Sequence, residues 1–187
     1  AVPDMVVQIT TEAVGIYSAD AQRQLVRDVM PRFVSIALKE IIDGTDEQTV
    51  ANFFAWASEA QIGVQHILYA PEELEKFIDF VARGIIPAAD LEALFVLGRY
   101  SKGQQSDPLD IDPFLQVRGE AMDSLPFAVC AFGQQETDCL VYAAGKGGGG
   151  VHAERLGALC DVVEVFNARL HSASMNDQAR TLANRFG

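Results

Sequence analysis

Basic residues are scarce in this chain: 14 Lys and Arg stand against 26 Asp and Glu in 187 residues, for a formal net charge of −12. A surface built to neutralise nucleic-acid phosphates needs the opposite balance, so nucleic acid is not an expected partner. Long apolar runs are missing as well. None approaches the ~20 residues of a membrane span, and no charged and apolar leader opens the sequence, so a cytoplasmic protein without a membrane partner is expected. Cysteine is sparse: Cys130, Cys139 and Cys160 are odd in number and lack CxxC spacing. They read as reduced thiols and not as a disulfide framework. Nucleotide signatures are also wanting. The first apolar segment is followed by Thr11–Gly15 (TEAVG), not GxGxxG, and the glycines before Val151 lack the GK[ST] of a P-loop. Of the 3 histidines, no two form HxH or HExxH.

What is present is a regular alternation. With 49% hydrophobic residues the chain can bury one sizeable core, and residues 1–187 read as a single domain. Met5–Thr10 is an apolar, β-branched strand. Ser18 caps a helix running to about Met30, which Pro31 closes. Phe33–Leu38 is the next strand, and Thr45 with Gln48 forms a capping-box pattern for a helix over residues 46–60. Ile62–Tyr69 is the third strand. Pro71 opens the helix whose core positions are Leu74, Phe77, Ile78 and Val81, and Gly84 ends it. Leu94–Leu97, a polar loop over 101–107, a helix over 110–121 and the strand Phe127–Phe132 follow. A helix over 134–144 leads into Lys146–Gly150, and two further helices are expected near 159–170 and 176–186. That makes five βα units and the outline of a sixth around Val151–Leu156, at roughly the 25–30 residues per unit that parallel crossovers need. Periodicity alone does not separate an open doubly wound sheet from a barrel. In either case the functional groups sit at the carboxyl ends of the strands.

Several residues have the chemistry for a site, and each has a plainer role beside it. Thr10 and Thr11 end the first strand, where hydroxyls meet a substrate carboxylate or carbonyl, or cap a turn. His66 lies among apolar neighbours in the third strand, as a buried residue or a site residue. Glu136 follows Gly133 in a strand-to-helix turn, as a functional carboxylate or a helix-dipole partner. His152 and Glu154 make an HxE pair, a candidate pair of metal donors. His171, near a helix end, reads as solvated. Cys130 reads as a small buried hydrophobe. The glycine run is a mobile loop or an anion cradle of bare backbone amides.

The strings Val7–Thr11 (VQITT), Pro31–Ile36 (PRFVSI), Gln65–Tyr69 (QHILY), Gly84–Pro87 (GIIP), Leu94–Tyr100 (LFVLGRY), Val129–Gly133 (VCAFG) and Asp177–Leu182 (DQARTL) resemble, in this order, the β-keto acid cleavage enzymes, the family of 3-keto-5-aminohexanoate cleavage enzyme. That resemblance implies a TIM (β/α)₈-type barrel and a zinc-dependent retro-Claisen exchange, in which a β-keto acid and acetyl-CoA give acetoacetate and a new acyl-CoA. The zinc would polarise the keto group, and neighbouring donors would stabilise the enolate.

The departures are as specific. The family's HxH metal motif would lie before Ala1. Five or six units in 187 residues then fit a barrel of ~250 residues without its first one or two units. The family's GGHxRVGFEN-like string corresponds to Gly149–Gly157 (GGVHAERLG). There His152 and Arg155 match the histidine and arginine if one residue is inserted, and Leu159 falls where the glutamate belongs; without the insertion Leu156 does. The resemblance carries the family's strand-end hydroxyl onto Thr10 and makes Arg155 the candidate substrate arginine. Thr10 and Arg155 are therefore the expected catalytic pair, with Thr11, His66 and Glu136 as substrate-binding candidates and no metal set assigned beyond the donors His152 and Glu154. The alternative is a metal-free member or fragment that binds a small carboxylate or an acyl-CoA without turnover. A barrel short of units leaves strand edges and apolar faces bare, so the chain is expected to pair with another copy, as a homo-oligomer, or to be part of a longer polypeptide.

Overall fold

A computed structural model describes residues 7–119 and 122–152. Six strands form one parallel sheet in the order β1-β2-β3-β4-β5-β6. They are β1 (Gln8–Thr10), β2 (Phe33–Ala37), β3 (Gly63–Leu68), β4 (Glu92–Val96), β5 (Phe127–Ala131) and β6 (Gly149–His152). Between them run the helices α1 (Ala19–Val29), α2 (Leu38–Ile41), α3 (Glu47–Glu59), α4 (Pro71–Ala82), α5 (Asp112–Arg118) and α6 (Glu136–Gly145). Each strand pairs with the next in sequence and the order never reverses. An open doubly wound sheet reverses its order at a switch point, and the described strands show no such reversal.

Side-chain alternation along each strand sorts residues into two rows. One row packs under the helices. Val34, Ile36, Leu68, Ala93, Phe95, Val129 and Ala131 join Val26, Phe53, Phe54, Leu74, Phe77, Phe114 and Leu140 in a single core, so α1 to α6 all cover the same face. The other row is narrower: Ala37, Ile67, Leu94, Val96, Ala128 and Cys130, edged by Tyr69 and Phe132. This inner face also carries a polar ladder near the amino ends of the strands. Gln8 Nε2 donates to Gln65 Oε1 (3.2 Å), and Gln65 Nε2 donates to Glu92 Oε1 (2.8 Å). Gln65 thus satisfies both ends of its buried amide, as a polar group out of water must.

Local signals explain most element ends. Ser18 caps α1 by accepting the Ala21 N–H at 3.2 Å, and Met30 closes it in the left-handed region. The capping box expected at Thr45 and Gln48 is corrected: Asp46 is the cap, accepting the Thr49 N–H at 2.9 Å and its hydroxyl at 2.8 Å. Thr45 instead accepts from buried Arg23 (3.1 Å), whose Nη1 also holds the Ile41 carbonyl at 2.6 Å. The helix expected over 110–121 is two pieces, a 3₁₀ turn at Pro108–Ile111 and then α5, ended by Gly119 at φ +48°. The glycine run also departs from expectation, because Gly149 and Gly150 belong to β6, paired with Ala128 and Val129. The expected helices over 159–170 and 176–186, the first residues of the Met5–Thr10 strand, Cys160 and His171 lie outside the described residues.

Candidate functional site

The carboxyl ends of β1 to β5 gather a compact set of polar and aromatic groups. Thr10 ends β1 exposed, its Oγ1 accepting the Glu12 N–H at 3.4 Å. Thr11 is buried, and both its hydroxyl (3.4 Å) and its N–H (3.2 Å) donate to the Ser35 carbonyl of β2. The chain beyond is held by Glu40, whose Oε2 accepts the Ala13 N–H at 2.8 Å.

Lys39, two residues past β2, occupies an aromatic slot. Its ammonium lies 4.0 Å from the centre of the Tyr69 ring and 4.1 Å from that of Tyr100. It donates to the Tyr100 hydroxyl at 2.6 Å and lies 3.9 Å from Glu73 Oε1. The Tyr69 ring lies against the cation, and Tyr100 meets it from the hydroxyl end of its ring. Burial, reinforced by Glu40 and Glu12, holds the Tyr69 phenol above its ordinary range. Burial also raises the Glu73 carboxyl, an effect opposed by the Tyr69 N–H that Glu73 accepts (3.0 Å) and by Lys39.

The loop after β4 folds over this end of the sheet. Ser106 ties it to two strands: its hydroxyl donates to the Leu97 carbonyl (2.8 Å) and accepts the Phe132 N–H (2.8 Å). Gly98 and Gly133 have positive φ, and a Cβ on either would collide with Gln105, whose Oε1 accepts the Gln134 N–H at 3.2 Å. The loop projects Arg99 back across the sheet. Its Nη2 reaches Glu12 Oε1 at 3.4 Å, and its guanidinium lies 5.7 Å from the Phe132 ring.

A model of the β-keto acid cleavage enzyme family matches residues 1–155. The chain belongs to that family. No curated protein matches it.

As a β-keto acid cleavage family member, the chain has its strand-end hydroxyls where its sheet places functional groups, with Arg99, Lys39 and Tyr100 around them. Glu136, the first residue of α6, is buried behind the Gly133 turn. His66 does not join this group. It lies in the other row of β3, under the helices, 5.4 Å from the Phe54 ring and 4.8 Å from that of Phe77. Its Nδ1 has no partner, and burial pushes its pKa down to about 3. Register pairs His152 with Ala131 of β5. Glu154 and Arg155 lie outside the described residues. Among the described residues, no group of three or more His, Cys, Asp or Glu side chains is placed to hold a metal ion. These residues therefore do not make a zinc site on their own.

A groove of about 650 Å³, lined by Arg32, Phe54, His66 and Asp90 among others, opens at the opposite end of the sheet. Parallel α/β folds place their chemistry at the carboxyl ends, so the smaller cluster at that end is the candidate site. Lys39, Tyr69, Arg99 and Tyr100 were not singled out in the sequence as site residues. The usable signal is that each stands within four residues of the last residue of its strand.

Proposed function

We propose that this chain carries out the retro-Claisen exchange of its family: a β-keto acid and acetyl-CoA are converted to acetoacetate and a new acyl-CoA. The C2–C3 bond of the keto acid breaks, its two-carbon carboxylate unit joins the acetyl group, and the CoA sulfur takes the remaining acyl group. The observation that carries the reading is the family match over residues 1–155. The strand order supports a TIM-type barrel, since a sheet wound in one direction with every helix on one face is the arrangement a barrel requires.

In this reading Thr10 and Arg155 hold the substrate, the Thr10 hydroxyl acting as a donor to its oxygen. Thr11 fixes that strand end through the Ser35 carbonyl. Glu136 stays a candidate substrate contact, whereas His66 acts at most from behind the sheet. Zn²⁺ belongs to the proposal through the family resemblance and would supply Lewis-acid polarisation; the described residues alone do not hold it. The chain works in the cytoplasm and as a homo-oligomer. Exposed apolar side chains at both ends of α1, Val14, Ile16 and Tyr17 before it and Val29 and Met30 at its close, support self-association.

The test is acetoacetate and acyl-CoA formation from acetyl-CoA and a panel of β-keto acids, with zinc measured on the same sample. Absence of exchange across the panel with zinc supplied would refute the enzyme reading. A second reading is a member that binds a small carboxylate or an acyl-CoA without turnover. It is favoured by the leucine, Leu156 or Leu159, at the family's glutamate position. Stoichiometric zinc held through His152 and Glu154 would remove it.

A further inference from the structure

We propose that Arg99 is the anchor for the substrate carboxylate, and that it binds by exchanging Glu12 for the incoming acid. The inference rests on the β-keto acid reading above and adds to it a residue and a partner exchange.

The charges at the strand ends divide unequally. Glu12, Glu40 and Glu73 bring three carboxylates, so a further anion enters only where a cation can change partners. Lys39 is poorly suited to that. It is held by two tyrosine rings, the Tyr100 hydroxyl and Glu73, and releasing it would dismantle the slot. Arg99 is different. It makes one contact with Glu12, through a single Nη2 at 3.4 Å, and both side chains are more than a third exposed. A guanidinium has five N–H donors in a planar fork, and a carboxylate approaching in plane takes two of them at shorter distance. The bond being exchanged is long and solvated, which makes it a weak competitor.

Position supports the same residue. Glu12 gives its N–H to Thr10 Oγ1, so the carboxylate that Arg99 touches belongs to the same turn as the hydroxyl proposed to meet the substrate. The Phe132 ring lies 5.7 Å from the guanidinium carbon, an apolar flank that strengthens a charged pair formed beside it. Tyr100, pinned by Lys39, and Ser106, bonded to both β4 and β5, fix the loop on either side of Arg99. A head group that can change partners is thus mounted on a fixed stem.

The experiment is calorimetric titration of the full chain with acetoacetate and, separately, with its neutral methyl ester, using wild type, R99Q, R99K and E12Q. Loss of one charged hydrogen-bonding partner is worth roughly tenfold or more in affinity, so R99Q should bind acetoacetate at least about tenfold more weakly. R99K should fall between R99Q and wild type, because it keeps the charge without the fork. E12Q should bind acetoacetate severalfold more tightly. The ester should bind all four proteins alike. An R99Q protein that melts like wild type and retains its affinity for the acid overturns the assignment alone. So does an E12Q protein that binds the acid more weakly, since Glu12 would then belong to the site and not compete for it. A wild-type protein that binds no acetoacetate overturns the β-keto acid reading and this assignment with it.

Discussion

Lowering the pH from 7 to 5 places a load on His66. Its imidazole is enclosed by Phe54 and Phe77, its Nδ1 finds no partner, and burial alone pushes its pKa to about 3. In the unfolded chain the same group titrates near its ordinary 6.5. Between those two values the unfolded state binds a proton that the folded state refuses, so stability falls as pH falls. Near pH 7 the difference is small, about 0.2 kcal/mol. At pH 5 it reaches about 2 kcal/mol, taking 1.36 kcal/mol per unit. Asp46, Glu47 and Glu73 do not imitate this. Asp46 and Glu47 are held below their ordinary values and lose their effect only at lower pH, while the raised Glu73 acts in the opposite sense.

The assay is urea unfolding of wild type and His66→Leu at pH 7, 6 and 5. Leucine removes both the titration and the orphaned ring nitrogen, so the variant should match or exceed wild type at pH 7. Its advantage should then grow by about 2 kcal/mol at pH 5. Other histidines and carboxylates contribute equally to both proteins and cancel in the comparison. Parallel pH curves for the two would refute the reasoning, because they would mean that His66 is charged in the folded state or reached by water.

Three further outcomes are expected. Asp46→Ala should cost about 1 kcal/mol in chemical unfolding, since it removes the cap of α3, whereas Thr45→Val should leave that helix capped. Gly98→Ala should cost roughly 1–3 kcal/mol or more, from a positive φ together with a collision against Gln105, and it should disturb the loop before it disturbs the sheet. Lys39→Met should change global stability by less than about 1 kcal/mol but speed trypsin cleavage at Arg99 and Lys102, because the Tyr100 pin is lost. An unchanged cleavage rate would show that Lys39 does not hold the loop.

The sequence carried the elements well and the site poorly, for physical reasons. Buried parallel strands are apolar on both faces, so Phe33–Ala37 and Phe127–Ala131 stand out from their flanks. Ser18, Pro71 and Gly84 mark helix ends through local backbone chemistry that needs no tertiary partner. Where two capping patterns overlap by one residue, as at Thr45 and Asp46, the winner depended on Arg23, 22 positions earlier, claiming the threonine hydroxyl. His66 shows a different limit. Strand alternation puts it in one row or the other, but which row is covered by helices depends on the whole sheet. Arg99 and Lys39 stand just past their strand ends, which the sequence shows, but each acquires its role from a partner beyond another strand, which it does not.

The contacts that leap over strands give the sheet its shape. Gln8 on β1 reaches Gln65 on β3 past the whole of β2, and Arg99 beyond β4 reaches Glu12 beyond β1. Neighbouring strands lie about 4.8 Å apart, so in a flat sheet the second pair would have to bridge on the order of 14 Å. A sheet curved toward its inner face shortens that path. The inner residues agree with such curvature: Ala37, Ala128 and Cys130 are small, whereas Phe53, Phe77 and Phe95 fill the helix side. A concave face must hold less volume than the convex one around it. The same curvature points the carboxyl ends of β1 and β4 toward each other. It thereby places a hydroxyl from one strand end and a guanidinium from another over one apolar floor, although 87 positions separate Arg99 from Glu12.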